Sequence, residues 1–372
     1  MKSSFDLLQS LIYARGPCGQ EDEVREVCRA ELLALADAVW VDPAGNLIGK
    51  VNGMDSSKAI RVMVHMDEIS MIVKRINEDG SLRVNALGGL FPFSVGQGPV
   101  DILGDNHSFT GILSFGALHV TKESPWHKLI PEDYRGQGKT PLWEDVFVVT
   151  RKTAQELKEA GVHPGTRVVI ARSRRTLHVF QDCIGGYFFD NRASIAIALG
   201  ALQQMKEKGQ KPQTDVYFVA TCNEELGGHG ASYASRTLPG DTTFAIDVGP
   251  VSKEYCISLS SSPIIVYQDG AAVYDKTISD HLRCLGEELG LPIACSIWGG
   301  YSSDSSLALS RGQSAKSVLL CFPVENTHGY EIMHKDSMAH CATLLAAYLE
   351  KSEVSDFKKV IISSEKSPSC CH

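Results

Sequence analysis

The chain has 372 residues, 43% hydrophobic and 22% charged, and its 44 acidic residues outnumber 36 Lys and Arg to leave a formal charge of −8. That composition is too apolar for intrinsic disorder. It is also too acidic for a general nucleic-acid binder, which needs a basic surplus against phosphates. The length fits one large domain or two ordinary ones.

Of the 11 cysteines, Cys28, Cys222, Cys284, Cys295, Cys321 and Cys341 lie in or beside apolar stretches, where buried thiols are expected. No Cys-x-x-Cys pair occurs, so a structural zinc site and a thioredoxin-type pair both lack their signature. Scattered, odd-numbered cysteines fit reduced cytoplasmic thiols. The end Cys370-Cys371-His372 reads as a polar terminus rather than a metal site. Met1-Lys2-Ser3-Ser4-Phe5-Asp6 carries one lysine and then an amphipathic pattern, which is no signal peptide. No stretch approaches the ~18 apolar residues that span a bilayer. The expectation is a cytoplasmic protein with no membrane partner.

Phe5, Leu8, Leu11 and Ile12 predict a first helix; Gly16-Pro17-Cys18-Gly19 breaks the chain before a second with Val24, Val27, Cys28 and Leu32 on one face. Ala38 to Val41 and Leu47 to Val51 read as strands around a turn at Asp42-Pro43-Ala44-Gly45-Asn46. Ile60 to Val64 is a buried-strand candidate that ends at His65-Met66-Asp67-Glu68. From Ile72 to Asp182 short β runs alternate with turns, and only Thr153 to Ala160 looks helical. Beyond Asp190 the texture becomes α/β. Helices are expected at Arg192 to Lys206, Gly230 to Ser235, Ile278 to Leu289 and Asp336 to Glu350, with strands at Val216 to Thr221, Phe244 to Asp247 and Ser317 to Cys321. The predicted fold class is α/β, a mixed sheet covered by helices on both faces and interrupted by a small β-rich domain. The divisions are 1–72 with 183–372 for the α/β domain and 73–182 for the insert.

Arg135-Gly136-Gln137-Gly138-Lys139-Thr140 ends like a phosphate loop, but Asp133 stands where its first glycine belongs and no strand precedes it. Gly227-Gly228-His229-Gly230 completes no dinucleotide fingerprint. The informative pattern lies at strand ends, where open α/β sheets bind ligands. His65 and Asp67, Asp190, Glu224-Glu225, Asp247 and His328 all fall at or just past such ends or at a helix start. Histidine and carboxylate ligands without cysteine suit a catalytic zinc, cobalt or manganese site. Each has a plainer reading: Asp190 as a helix N-cap, Asp247 as a turn former, His328 as a surface residue. Adjacent Glu224 and Glu225 resist one, since two such carboxylates repel unless a cation or proton intervenes.

In order, His65-Met66-Asp67-Glu68-Ile69, Phe189-Asp190-Asn191-Arg192, Asn223-Glu224-Glu225-Leu226-Gly227, Ala245-Ile246-Asp247-Val248-Gly249-Pro250, Gly299-Gly300-Tyr301-Ser302-Ser303-Asp304 and His328 resemble the tetrahedral aminopeptidases of metallopeptidase family 42, some of which carry endoglucanase labels. The resemblance implies an α/β peptidase domain with a β-barrel-like insert, and two divalent metal ions per subunit, zinc first and cobalt or manganese as alternatives. Asp190 would bridge them, His65 and Asp247 would complete one shell, Glu225 and His328 the other. Asp67 would orient His65 and Glu224 would be the general base. Short peptides are the implied substrates, and a homo-oligomer, as large as a dodecamer, the implied assembly. The flanks of His328 depart from the family, with His334 and His340 as nearby rivals, and His229 is an unusual neighbour of the site. Rival functions are a deacylase or carboxypeptidase-like amidohydrolase of the same fold, and a non-catalytic scaffold. An endoglucanase needs carboxylates on opposite sides of a sugar, which sequence neighbours Glu224 and Glu225 do not suit.

Overall fold

Alternation of buried residues along Asp55–His65 sets the architecture: Ile60, Val62 and Val64 join one core, Ala59 and Met63 another, so this strand is covered on both faces. In the computed structural model, which describes residues 3–119, 122–132 and 138–351, this strand is β3. It follows α1 (Ser4–Tyr13), α2 (Asp22–Leu35), β1 (Ala38–Val41) and β2 (Leu47–Val51). The β1–β2 turn is held by Asp42, whose Oδ1 accepts the amides of Ala44 at 2.9 Å and Asn46 at 3.0 Å. Both strands stand where the sequence put them.

The chain then builds a closed barrel from β4 (Ser70–Ile76), β5 (Leu82–Leu87), β6 (Gly98–Leu103), β7 (Ser108–Ser114), β8 (Phe147–Val149) and β9 (Arg167–Ile170). Closure leaves no free edge, and Val73, Leu82, Val84, Val100, Ile102, Leu113, Val148 and Val168 fill the interior. Three short helices accompany it: α3 (Pro92–Val95), α4 (Trp126–Leu129) and α5 (Ala154–Glu159). The sequence predicts only α5, which a Thr153–Glu156 capping box starts. The single-turn α3 and α4 are too short to show a period.

The main sheet resumes with β10 (His178–Phe180) and β11 (Cys183–Tyr187), then α6 (Phe189–Glu207), β12 (Thr214–Thr221), α7 (His229–Thr237), β13 (Thr242–Pro250) and β14 (Ile264–Gln268). After these come α8 (Lys276–Glu288), β15 (Ala294–Ile297), α9 (Asp304–Ser310), β16 (Lys316–Glu325), β17 (Tyr330–His334) and α10 (Ser337–Lys351). The strand order is β1-β2-β12-β3-β13-β16-β17-β11-β10, with β14 and β15 branching beside β16. Thus β10, inside the stretch 73–182, pairs with β11 in the main sheet rather than in the barrel.

Helices α1, α2, α6, α8 and α10 cover one face, around Leu8, Leu32, Ile195, Leu199, Leu282, Leu320 and Leu344. Ala231 and Ala234 of α7 cover the other with Met63, Tyr217 and Val219. All nine described cysteines are free thiols. Two differ from expectation: Cys284 and Cys295 are exposed, because the first lies on the outer side of α8 and the second on the terminal strand β15. The stretch 135–140 lies partly, and Cys370-Cys371-His372 wholly, outside the described residues. No described helix is long and apolar enough to cross a membrane.

Candidate metal centre

Parallel register gathers the chemistry at one edge of the sheet. β12 pairs with β3 so that Thr221 stands opposite His65, and β13 carries Asp247 opposite Cys321 of β16. The loop after Thr221 therefore delivers Glu224 and Glu225 beside His65, in the crevice outside the strands' carboxyl ends. A cavity of about 350 Å³ there is lined by His65, Asp190, Glu224, Glu225, Asp247 and His328, together with Gly89 from the barrel side and Gly227, Gly300, Tyr301 and Ser302.

The plainer readings do not hold for Asp190 and Asp247, while His328, its side chain 37% exposed, faces the cavity from the surface. Asp190 does not cap α6, whose N-cap is Phe188 with no side-chain cap. Its Oδ1 instead lies 3.0 Å from His65 Nε2 and its Oδ2 3.6 Å from His328 Nε2, between the two imidazoles. Asp247 lies inside β13, not in a turn, and is buried. His328 turns inward: its Nδ1 lies 2.7 Å from the Gly89 carbonyl oxygen and its Nε2 3.7 Å from Glu225 Oε2. His334 pairs instead with Asp182, and His340 with the carbonyl of Ser261; neither lines the cavity.

Asp67 acts differently from the expectation that its carboxylate orients His65. The backbone carbonyl of Asp67 lies 3.1 Å from His65 Nδ1, whereas its Oδ1 is 3.7 Å away. The carboxylate is occupied by the amides of Glu224 at 2.9 Å and Glu225 at 3.0 Å and by the Cys18 thiol at 3.2 Å. So the main chain of Asp67 turns the imidazole while its side chain fixes the Glu224-Glu225 loop.

The crowded carboxyls of the site favour bound protons or other positive charge. Burial, reinforced by neighbouring carboxylates, pushes Glu224, Glu225 and Asp247 well above the usual carboxyl range, though His65 opposes it. Burial also raises Asp190, but its hydrogen bond to His65 and the nearby cations outweigh that and hold it low. His65 is held well above its ordinary value because Asp190, Glu224 and Asp67 overcome its burial. With Nδ1–H donated to the Asp67 carbonyl, a neutral His65 turns its Nε2 lone pair towards Asp190. Glu225 Oε1 is buried and has no hydrogen-bond partner. Donor atoms of His65, Asp190 and Glu225 all lie within 4.8 Å of one another. Lone pairs converging on one point, with an orphaned carboxylate oxygen among them, are what a divalent cation requires. The residues fit a metal.

A family model described as M42 glutamyl aminopeptidase matches residues 45–344. The chain belongs to the M42 family. It is 27% identical to the lysyl aminopeptidase of Pyrococcus furiosus over 248 residues, 66% of each chain. With the glutamyl aminopeptidase of Lactococcus lactis it shares 28% over 258 residues, 68% of each. A solved TET aminopeptidase from the marine sediment archaeon Thaumarchaeota archaeon SCGC AB-539-E09 has a TM-score of 0.84 at 23% identity, covering 94% of this chain and 97% of that one. An aminopeptidase from Desulfurococcus kamchatkensis gives 0.84 at 24%, covering 96% and 98%. Both share the fold. M42 membership makes the chain a metal-dependent hydrolase of peptide bonds.

Three buried acids of this M42 chain make contacts with no role assigned from sequence, although Glu68 and Asp304 stand in its matching motifs. Glu331 on β17 accepts the Asp190 amide on Oε2 at 3.2 Å and the His328 amide on Oε1 at 3.3 Å, tying two cavity residues together. Asp304, first residue of α9, accepts the Thr221 hydroxyl at 2.5 Å; burial pushes its carboxyl up to about 6. Glu68 sits between the guanidinium groups of Arg175 and Arg192. For Glu331 the one signal available was its place beside apolar Ile332 and Met333 in a strand, where an acid must have a specific partner.

Proposed function

We propose that the chain is a two-metal aminopeptidase that removes N-terminal residues from short peptides. The observation that carries this reading is the convergence of His65, Asp190, Glu225, Asp247 and His328 on one cavity, with Glu224 beside them. Asp190, lying between the two imidazoles, would be the shared ligand; His65 and Asp247 would serve one ion, Glu225 and His328 the other. Two divalent cations, zinc first and cobalt or manganese as alternatives, would polarise the scissile carbonyl and make water acidic enough to attack. Glu224 takes the water's proton on its carboxylate and hands it to the leaving amine. Carboxylates of the cavity also supply counter-charge for the substrate's free α-amino group. The TET1 peptidase of Pyrococcus horikoshii, with a TM-score of 0.80 at 22% identity, assembles into a tetrahedron or a large octahedral shell. That likeness supports a homo-oligomer here, and a second structure, PhTET1-12s, a dodecamer with a TM-score of 0.80 at 21% identity, supports twelve subunits as its size. Nine free thiols among the described residues support a cytoplasmic setting.

The test is metal removal. Chelated protein is expected to lose hydrolysis of aminoacyl-p-nitroanilides, and Zn, Co or Mn to restore it. N-acetylated amino acids, which lack the free amine, are expected to stay intact; their hydrolysis at comparable rates would make the protein a deacylase instead.

Glu331 gives a second expectation. Replacing it with Ala frees the amides of Asp190 and His328, and metal affinity is expected to fall about 10–100-fold, as removal of an outer hydrogen-bond partner generally does. Competition with a chromophoric chelator measures it. Unchanged affinity would mean that Glu331 merely fills space.

A further inference from the structure

Gly227 lines the metal cavity and lacks a side chain where basic groups approach: a Cβ there would lie 3.5 Å from Arg311 Nη2 and 3.9 Å from His229 Nε2. Those two residues open a second groove of about 380 Å³, lined by His229, Ser232, Tyr233, Arg236, Arg311 and Gln313. No carboxylate lines it, although the chain carries a net −8. Its groups are set in place. Arg311 Nη1 donates to the Gly228 carbonyl at 3.2 Å and to Ser232 Oγ at 2.6 Å, and the Arg236 guanidinium lies 5.3 Å from the centre of the Tyr233 ring. Among the described residues neither arginine has a carboxylate partner.

We infer that this groove is a subsite for a carboxylate on the leaving side of the peptide, one or two residues beyond the scissile bond. Resting on the aminopeptidase reading, the inference adds a substrate class: short peptides acidic after their first residue. An extended chain advances about 3.3–3.6 Å per residue, comparable with the 3.5 Å that would separate a Cβ at cavity-lining Gly227 from Arg311 Nη2 in the groove. The carboxylate comes from an Asp or Glu side chain or from the free C-terminus, and either meets the same donors. It would be drawn by guanidinium groups in fixed positions, which favour planar carboxylates.

The experiment compares tripeptides with one common N-terminal residue: a neutral C-terminal amide, the same peptide as free acid, a Glu-containing amide and a Lys-containing amide. The carboxylate-bearing peptides are expected to exceed the Lys amide in kcat/KM by about 3–10-fold, an advantage that shrinks at high salt. The free acid and the Glu amide separate the two sources of the carboxylate. In the double variant R236Q/H229Q the ratio is expected to fall below about twofold, whereas R236K, which keeps the charge but loses the planar fork, is expected to retain part of it. Both positions are exposed, so the fold tolerates the changes. Equal rates for all four peptides, or a ratio untouched in the double variant, would overturn the subsite. A groove covered by a second copy of the chain would give the same equal rates. Failure to cleave any aminoacyl-p-nitroanilide, which extends no peptide past the scissile bond, would instead remove the aminopeptidase reading.

Discussion

Replacing Glu224 by Gln is expected to lower kcat by about 10²–10⁴-fold, the usual contribution of a positioned general base, with metal content unchanged. The amide is isosteric, so the cavity keeps its shape, and the loop stays anchored because Asp67 holds the backbone amide of residue 224, not its side chain. What is lost is a proton acceptor. Glu224 Oε2 lies 3.9 Å from His65 Nε2, beside the residues that would hold the metals and within reach of a water between them. Burial raises its affinity for a proton, in keeping with a group that accepts one and then gives it up. Steady-state kinetics with an aminoacyl-p-nitroanilide and metal analysis of the same preparation decide the matter together. Turnover within about tenfold of wild type would remove Glu224 as the base. Loss of metal along with activity would make it a ligand.

The cavity was legible because of how parallel sheets are connected. Each crossover returns the chain to the same edge, so polar residues that follow apolar strands in sequence become neighbours in space. His65, Glu224 and Glu225 need no more than that rule, and Asp247 reaches the same edge from within β13. What stayed hidden depends on pairings across long stretches of chain. Glu331 matters because β17 lies antiparallel to β11, which brings it to the amide of Asp190. β11 itself, Cys-Ile-Gly-Gly-Tyr, has too little apolar pattern to read as a strand. Asp67 was expected to orient His65, and its carbonyl lies nearer to the imidazole than its carboxylate does; spacing says nothing about which of the two turns the ring. His229 stood out in sequence only as an oddity; its position next to Gly227 gives it a chemical context.

Replacing Glu68 by Gln is expected to cost about 3–5 kcal/mol of stability, the typical penalty for breaking a buried ion pair from one side. Its carboxylate meets Arg175 Nη2 at 2.5 Å and Arg192 Nη2 at 2.7 Å, and all three side chains have 0% exposure. Removing the one negative charge leaves two guanidinium groups facing each other out of water. The network also joins distant pieces: Arg175 follows the barrel, Arg192 lies in the buried first turn of α6, and the Glu68 amide donates to the Gly16 carbonyl at 2.9 Å. Buried triads of this kind can often be exchanged for apolar side chains without loss. Here the exchange is expected to fail. Arg175 also donates to the carbonyls of Ile12, Ala14 and Ile170, and Arg192 to that of Met66. A triple variant E68L/R175M/R192M would strand those four oxygens, each worth about 1–3 kcal/mol when left unsatisfied. Urea unfolding of wild type, single and triple variants tests both steps. A single variant within about 1 kcal/mol of wild type, or a triple variant as stable as wild type, would reduce the network to ordinary packing. If the expected losses appear, this charged knot holds the N-terminal segment, the barrel and the Asp190 helix in register. Asp190 lies two residues before Arg192 on that helix, so the knot that stabilises the fold also fixes the residue between the two imidazoles.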